Sequence, residues 1–263
     1  MQKKLDTIGH NMANLNTHGY KRRETTFNDL LFQQLNNQIV PGHEVGRQTP
    51  NGLRIGSGGA VGEMQLRYEQ GSLQTTDRLL DVALTKPGYF FEVAATEDGT
   101  RRFTRDGAFY LSENPAVAGE NLLVDSNGDH ILSAQGEAIS IPGGFEDLLI
   151  RENGVIEVKM PGQVDSQVVG QLQLIEVIKP QLLIALGENA FVFPNLGELN
   201  LELADVMAEV AGTEVIQQKT LEMSNVDLGQ EMTELTLAQR SYQFNARAIS
   251  ITDQMMGLVN NIR

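Results

Sequence analysis

DLGQEMTELTLAQRSYQFNARAISITDQMMGLVNNIR, residues 227–263, carries the strongest structural signal in this chain. From Leu228 onward neither proline nor a turn cluster interrupts it, and Asn225 and Asp227 stand ahead of it as candidate N-cap oxygens. Gln230 follows in capping-box register with Asp227. The spacing predicts one long helix. Its apolar residues form two stripes, Leu228, Leu235, Tyr242, Ile249 and Met256 in one, and Leu237, Phe244, Ile251 and Leu258 in the other. At about 100° per residue the offset between the stripes places them roughly 200° apart, on opposite faces. A helix with two apolar faces needs neighbours on both sides.

The chain offers little helix to supply that cover. At the start, Leu5, Ile8, Met12 and Leu15 recur at helical spacing, and the run is broken by Asn14, Asn16, Thr17 and Gly19. Gly19 suits the left-handed turn that closes a helix. A second helical piece is expected from Phe27 through Leu30, Leu31 and Leu35, ending before Pro41-Gly42. Neither piece can cover both faces of the long helix, so other subunits are the expected cover.

Between the helical ends the pattern changes. Residues 42–62 are rich in glycine and polar side chains and read as an extended connector. Beyond it, short apolar runs alternate with Asp98-Gly99, Asp106-Gly107, Asn127-Gly128, Gly143-Gly144, Asn153-Gly154 and Pro161-Gly162. Such dipeptides supply the backbone angles of tight hairpins, so the middle reads as antiparallel sheet. The fold class is therefore mixed α and β: a central antiparallel β-rich domain flanked by N- and C-terminal helical segments that form a polymerisation domain. The expected divisions are 1–40 for the N-terminal helical segment, 41–68 for the connector, 69–205 for the β domain and 206–263 for a second connector and the long helix.

Composition narrows the function. The 263 residues include no cysteine, which excludes disulfides, thiolate metal sites and thiol nucleophiles. A net charge of -14 disfavours a nucleic-acid partner. No apolar run reaches the length of a membrane span, and no apolar h-region follows Met1-Gln2-Lys3-Lys4, so no cleaved signal is expected. Charge is uneven: Lys3, Lys4, Lys21, Arg22 and Arg23 face only Asp6 at the start, whereas residues 198–234 hold nine carboxylates against Lys219. Two readings stand side by side, solvated faces and steering between subunits.

A search for chemistry finds none. His10, His18, His43 and His130 are scattered and read as surface or turn residues. Gly56-Ser57-Gly58-Gly59-Ala60-Val61-Gly62 lacks the last glycine, the strand and the helix of a dinucleotide site. Asp125-Ser126-Asn127-Gly128-Asp129 has its glycine too early for a calcium loop and reads as a hairpin turn. No enzyme, cofactor or metal is expected.

Two terminal stretches resemble a known family. Leu5-Asp6-Thr7-Ile8 with Asn11-Met12-Ala13-Asn14-Leu15-Asn16-Thr17-His18-Gly19-Tyr20-Lys21 is similar to the N-terminal signature of the flagellar rod and hook proteins. Glu222-Met223-Ser224-Asn225-Val226-Asp227-Leu228, with Glu231-Met232, Ala238-Gln239-Arg240-Ser241-Tyr242 and Asn245-Ala246, resembles their C-terminal signature. Gln70-Gly71-Ser72-Leu73, Asp81-Val82-Ala83-Leu84, Gly88-Tyr89-Phe90-Phe91 and Phe103-Thr104-Arg105-Asp106-Gly107 resemble the central domain of the distal rod protein and its paralogues. The resemblance implies terminal helices packed as layers of a hollow tube, further apolar helix ahead of Met1, and type III export without signal cleavage. The implied partners are the chain itself, other rod and hook proteins, and the flagellar export apparatus. The segment Asn114 to Glu120 departs from the family's usual tight turn.

These readings converge on a structural subunit of the basal-body rod that polymerises through its ends, transmits torque and passes exported subunits. Both ends are expected to stay mobile in the monomer and to order on stacking. The alternative is a β-rich surface adhesin or binding module whose helices pack on their own sheet.

Overall fold

The computed structural model describes residues 1–29, 32–35, 53–56, 59–95, 99–163, 165–187, 189–210 and 212–261. Two helices are present among them, α1 (Gln2–Ala13) and α2 (Leu228–Asn261), and the remaining regular structure is strand with short 3-10 turns. The chain forms two compact units: residues 9–22 with 66–234, and residues 1–8, 23–65 and 235–263.

The larger unit is built on a six-stranded antiparallel sheet. Its strands run in the order Ile184–Gly187, Ala190–Val192, Arg102–Thr104, Tyr89–Val93, Leu174–Val177 and Met207–Val210. The run Tyr89-Phe90-Phe91-Glu92-Val93 is apolar on both parities because the sheet is covered on both faces. Phe90 joins one core cluster with Phe103, Ile175, Phe191 and Met207, while Phe91 and Val93 join another with Phe109, Ile131, Ile156 and Leu172. Edge-to-face ring pairs tighten both, Phe90 on Phe191 at 5.5 Å and Phe91 on Phe109 at 5.2 Å.

Two three-stranded sheets and two two-stranded ones complete the described part of the larger unit, and in the three-stranded sheets the turn dipeptides place hairpins as the sequence suggests. Asn153-Gly154 joins Asp147–Ile150 to Val155–Lys159, and Pro161-Gly162 lies between that strand and Gln167–Gln171. Asn127-Gly128 turns the chain after Glu120–Val124, where Asp125 Oδ1 accepts the Asn127 and Asp129 amides at 2.8 and 2.9 Å. Asp125 is thus spent on a hairpin turn. Asn114 to Glu120 closes a hairpin between Tyr110–Glu113 and Glu120–Val124, with residues 115–119 exposed.

Four expectations need correction. Residues 27–35 do not form a helix where they are described: Arg23–Asp29 and Phe32–Leu35 are strands. The leucine spacing suggested helix, but Thr25, Thr26 and Phe27 favour extended backbone and a partner strand is available. Arg23–Asp29 is bonded to Gly59–Leu66, and Phe32–Leu35 pairs antiparallel with Leu53–Gly56. The connector around Gly56 is therefore partly strand; residues 36–52, with His43, lie outside the described residues. Asp106-Gly107 is no hairpin turn. The Gly107 carbonyl instead accepts the Val82 amide at 3.0 Å, and a Cβ on Gly107 would stand 1.6 Å from the Val82 carbonyl. Lastly, the second connector is not free of the body: Met207–Val210 is an edge of the large sheet, Ile216–Gln218 pairs with Val82–Leu84, and Thr220–Glu222 pairs with Leu73–Thr75.

Candidate functional site

The N-terminal motif folds into a small polar knot. At the end of α1 the Asn14 side-chain amide donates to the His10 carbonyl at 2.8 Å, and Thr17 Oγ1 donates to Asn14 Oδ1 at 3.2 Å. The Asn14 side chain thus adds a donor to a carbonyl of the last helical turn, and Thr17 holds that side chain. Tyr20 Oη donates to Asn11 Oδ1 at 3.0 Å and lies 2.8 Å from His10 Nδ1, its ring stacked on the imidazole. Gly19 has φ +68°, as the helix-closing role requires, and its amide donates to the Glu222 carbonyl at 2.8 Å. Ala13 and Asn16 are exposed.

Next to the knot lies a buried ionic cluster. Lys21 Nζ donates to Glu222 Oε1 at 2.6 Å and to the Glu69 carbonyl at 2.9 Å, and Arg105 Nε donates to Glu222 Oε2 at 2.7 Å. Lys21 and Arg105 side chains are fully buried and Glu222 is 1% exposed. The Gly71 amide adds a third donor to this carboxylate, at 2.9 Å from Glu222 Oε1. That approach needs glycine, since a Cβ on Gly71 would lie 1.9 Å from the Met223 carbonyl. Burial pushes the Lys21 ammonium down, with help from Arg105 and against the pull of Glu222, to about 8. Burial acts on Glu222 in the direction that would raise it, but Arg105, Lys21 and the hydrogen bonds outweigh this and hold its carboxyl below the usual range.

The C-terminal motif meets the same cluster. Asn225 Oδ1 accepts the Arg22 amide at 2.7 Å, and its Nδ2 donates to the Arg67 and Glu69 carbonyls. Ser224 Oγ accepts the Val226 amide, and both residues are buried. Arg22 then reaches the first turns of α2, with Nε 2.5 Å from Glu231 Oε1 and Nη2 3.0 Å from Glu234 Oε1. The start of α2 is capped as its sequence suggests, the Gln230 amide donating to Asp227 Oδ1 at 3.0 Å. Part of the charge asymmetry between the two ends is therefore satisfied within one chain.

Beyond its first turns α2 is uncovered. Glu231 and Ala238 are buried and Leu235 is half-buried, but every described side chain from Tyr242 to Leu258 is exposed. Of the two stripes, Leu228, Tyr242, Ile249 and Met256 stand 45 to 66% exposed, and Leu237, Phe244, Ile251 and Leu258 stand 55 to 73% exposed. Both faces are bare. The N-terminal candidates differ: Ile8 is buried and Leu5, Met12 and Leu15 are half-buried. Residues 9–22 group with the larger unit, to which the Gly19 amide is bonded through the Glu222 carbonyl.

Sequence reasoning missed the Lys21–Glu222–Arg105 cluster, although all three residues sit in the stretches that resemble the family. The usable signal was a charged residue placed among glycines and apolar residues in three motifs at once. Of the histidines, His10 is exposed and His18 and His130 are half-buried. No group of three potential metal ligands occurs among the described residues. No described helix is long and apolar enough to cross a membrane.

Comparison with known proteins agrees with this anatomy. Residues 87–158 match the flagellar hook protein FlgE/F/G D1 domain, and residues 217–262 match the C-terminal domain of the flagellar basal body rod FlgEFG proteins. The chain is 38% identical, over 100% of its length and 95% of the relative's, to the flagellar hook-basal body complex protein FlhP of Bacillus subtilis. It is 33% identical to the flagellar basal-body rod protein FlgG of Borreliella burgdorferi and 32% identical to that of Caulobacter vibrioides, each over 100% of this chain and 94% of the relative. With identity at this level along its whole length, and with both signature regions tied to one buried cluster, the chain belongs to the flagellar rod and hook protein family.

Proposed function

We propose that this chain is a structural, non-enzymatic subunit of the bacterial flagellar basal-body rod, which polymerises with itself and with other rod and hook proteins. The observation that carries the reading is α2, whose apolar side chains from Tyr242 to Leu258 are exposed on two opposite faces. At about 25 cal/mol per Å² of apolar surface, leaving so many large side chains in water is costly, and stacking against neighbouring helices removes the cost. The terminal helices then serve as the polymerisation domain, in coiled-coil-like layers of a hollow tube that transmits torque and lets exported subunits pass. Export through the flagellar type III apparatus without signal cleavage fits this role. The adhesin alternative requires helices packed on their own sheet, and the bare half of α2 speaks against it.

The absence of native cysteine makes the test clean. Phe244→Cys paired with single cysteines along the opposite stripe, such as Ile249→Cys, should give disulfide-linked oligomers in purified basal bodies on mild oxidation. The same variants should give none as dilute monomer. Crosslinks absent from basal bodies that contain the protein would overturn the reading.

A further inference from the structure

We propose that the buried Lys21–Glu222–Arg105 cluster is a register lock, holding residues 19–22 against residues 222–225 in one arrangement, and that it does not raise the stability of the fold. The geometry alone carries the proposal; only its consequence for motility rests on the assembly reading above.

The cluster is poorly suited to stabilising. Three ionised groups are removed from water, their charges leave one net cation, and Arg105 Nη1 has no hydrogen-bond partner. Buried ion clusters of this kind are often matched or exceeded in stability by apolar side chains of similar volume. What apolar side chains cannot do is distinguish one alignment from the next. Here each bond reads one position: Lys21 Nζ takes the Glu69 carbonyl, Glu222 Oε1 takes the Gly71 amide, and Arg105 Nη2 takes the Lys86 carbonyl at 3.0 Å. A slip of one residue along Thr220–Glu222 would turn Glu222 to the other face of its strand and put Leu221 or Met223 against two buried cations. The backbone bond from Gly19 to Glu222 and the bond from the Arg22 amide to Asn225 lie on either side of Lys21 and share its register. The lock thus joins positions 201 residues apart in the chain.

The test compares the full wild-type chain with a triple variant, Lys21→Met, Arg105→Met and Glu222→Met, and with Glu222→Gln. Three readouts are taken: thermal midpoint, amide hydrogen exchange at Gly19 and Arg22, and swarming of the complemented strain. The expected triple variant melts at or above the wild-type midpoint, while the Gly19 and Arg22 amides exchange at least about tenfold faster. Glu222→Gln, which leaves both cations in place, should melt below both. A triple variant that melts well below wild type or fails to fold would overturn the proposal by making the cluster a stabiliser. Unchanged protection at Gly19 and Arg22 would overturn it by removing the register role. Loss of swarming by the triple variant is the expected consequence. Failure of the α2 crosslinks would instead strike at the assembly reading and leave the exchange result standing.

Discussion

Glu222 is the residue on which both terminal motifs converge, because one carboxylate accepts from Lys21, Arg105 and the Gly71 amide while its own carbonyl accepts from Gly19. Breaking a buried pair by removing one partner is costly, so Glu222→Gln should lower unfolding free energy by about 3 to 5 kcal/mol in urea denaturation. Gly71→Ala should cost at least about 2 kcal/mol, since its Cβ would meet backbone that cannot move aside. The pH dependence has two parts. The folded-state pKa of Glu222 lies below its unfolded value, so its contribution is present above that unfolded value and is lost as pH falls through the folded one. Lys21 loses its proton near pH 8 in the folded chain and near 10.5 when unfolded. Between those values the unfolded state binds the extra proton, and stability from this group rises with pH by roughly 1.4 kcal/mol per unit. Wild type should therefore gain on Lys21→Met between about pH 8 and 10, read from denaturation midpoints of both proteins.

At the scale of elements, α2 divides into a capped, partly buried start and a bare remainder. Asp227→Ala should cost about 1 kcal/mol, through loss of the bond to the Gln230 amide, and circular dichroism under urea would read it. The described side chains of the bare part are all exposed, so it draws little from burial, and most helical stability in proteins comes from tertiary packing. Its side chains should therefore titrate with temperature before the sheet does, with helix lost in an early phase. This helix was legible in the sequence because its cap, its uninterrupted length and its stripes are local features. The hairpins at Asn127-Gly128 and Asn153-Gly154 were legible for the same reason. The strand at Arg23–Asp29 was not, because its state is settled by pairing with Gly59–Leu66, far along the chain. The ionic cluster was hidden likewise, since nothing local to Lys21 indicates that Glu222 will lie 2.6 Å away.

For the whole molecule, the larger unit takes in residues 9–22 and the strands up to Glu222, so the chain is held at both ends of its β body by the same cluster. In limited proteolysis of dilute monomer, chymotrypsin should cut first at Tyr242 and Phe244, while bonds within residues 9–22 resist as long as the body does. Mass spectrometry of the fragments reads both. The central claim is that the bare faces of α2 are an assembly surface, and the most direct measurement is incorporation of the double variant Phe244→Asp, Ile251→Asp into basal bodies of a strain lacking the native protein. Both side chains are exposed in the single chain, so the variant's sheet should melt as wild type does. The account expects that melting to be unchanged, the variant to be absent from purified basal bodies and the cells to be non-motile. Normal incorporation and normal swimming, with the same melting curve, would contradict it.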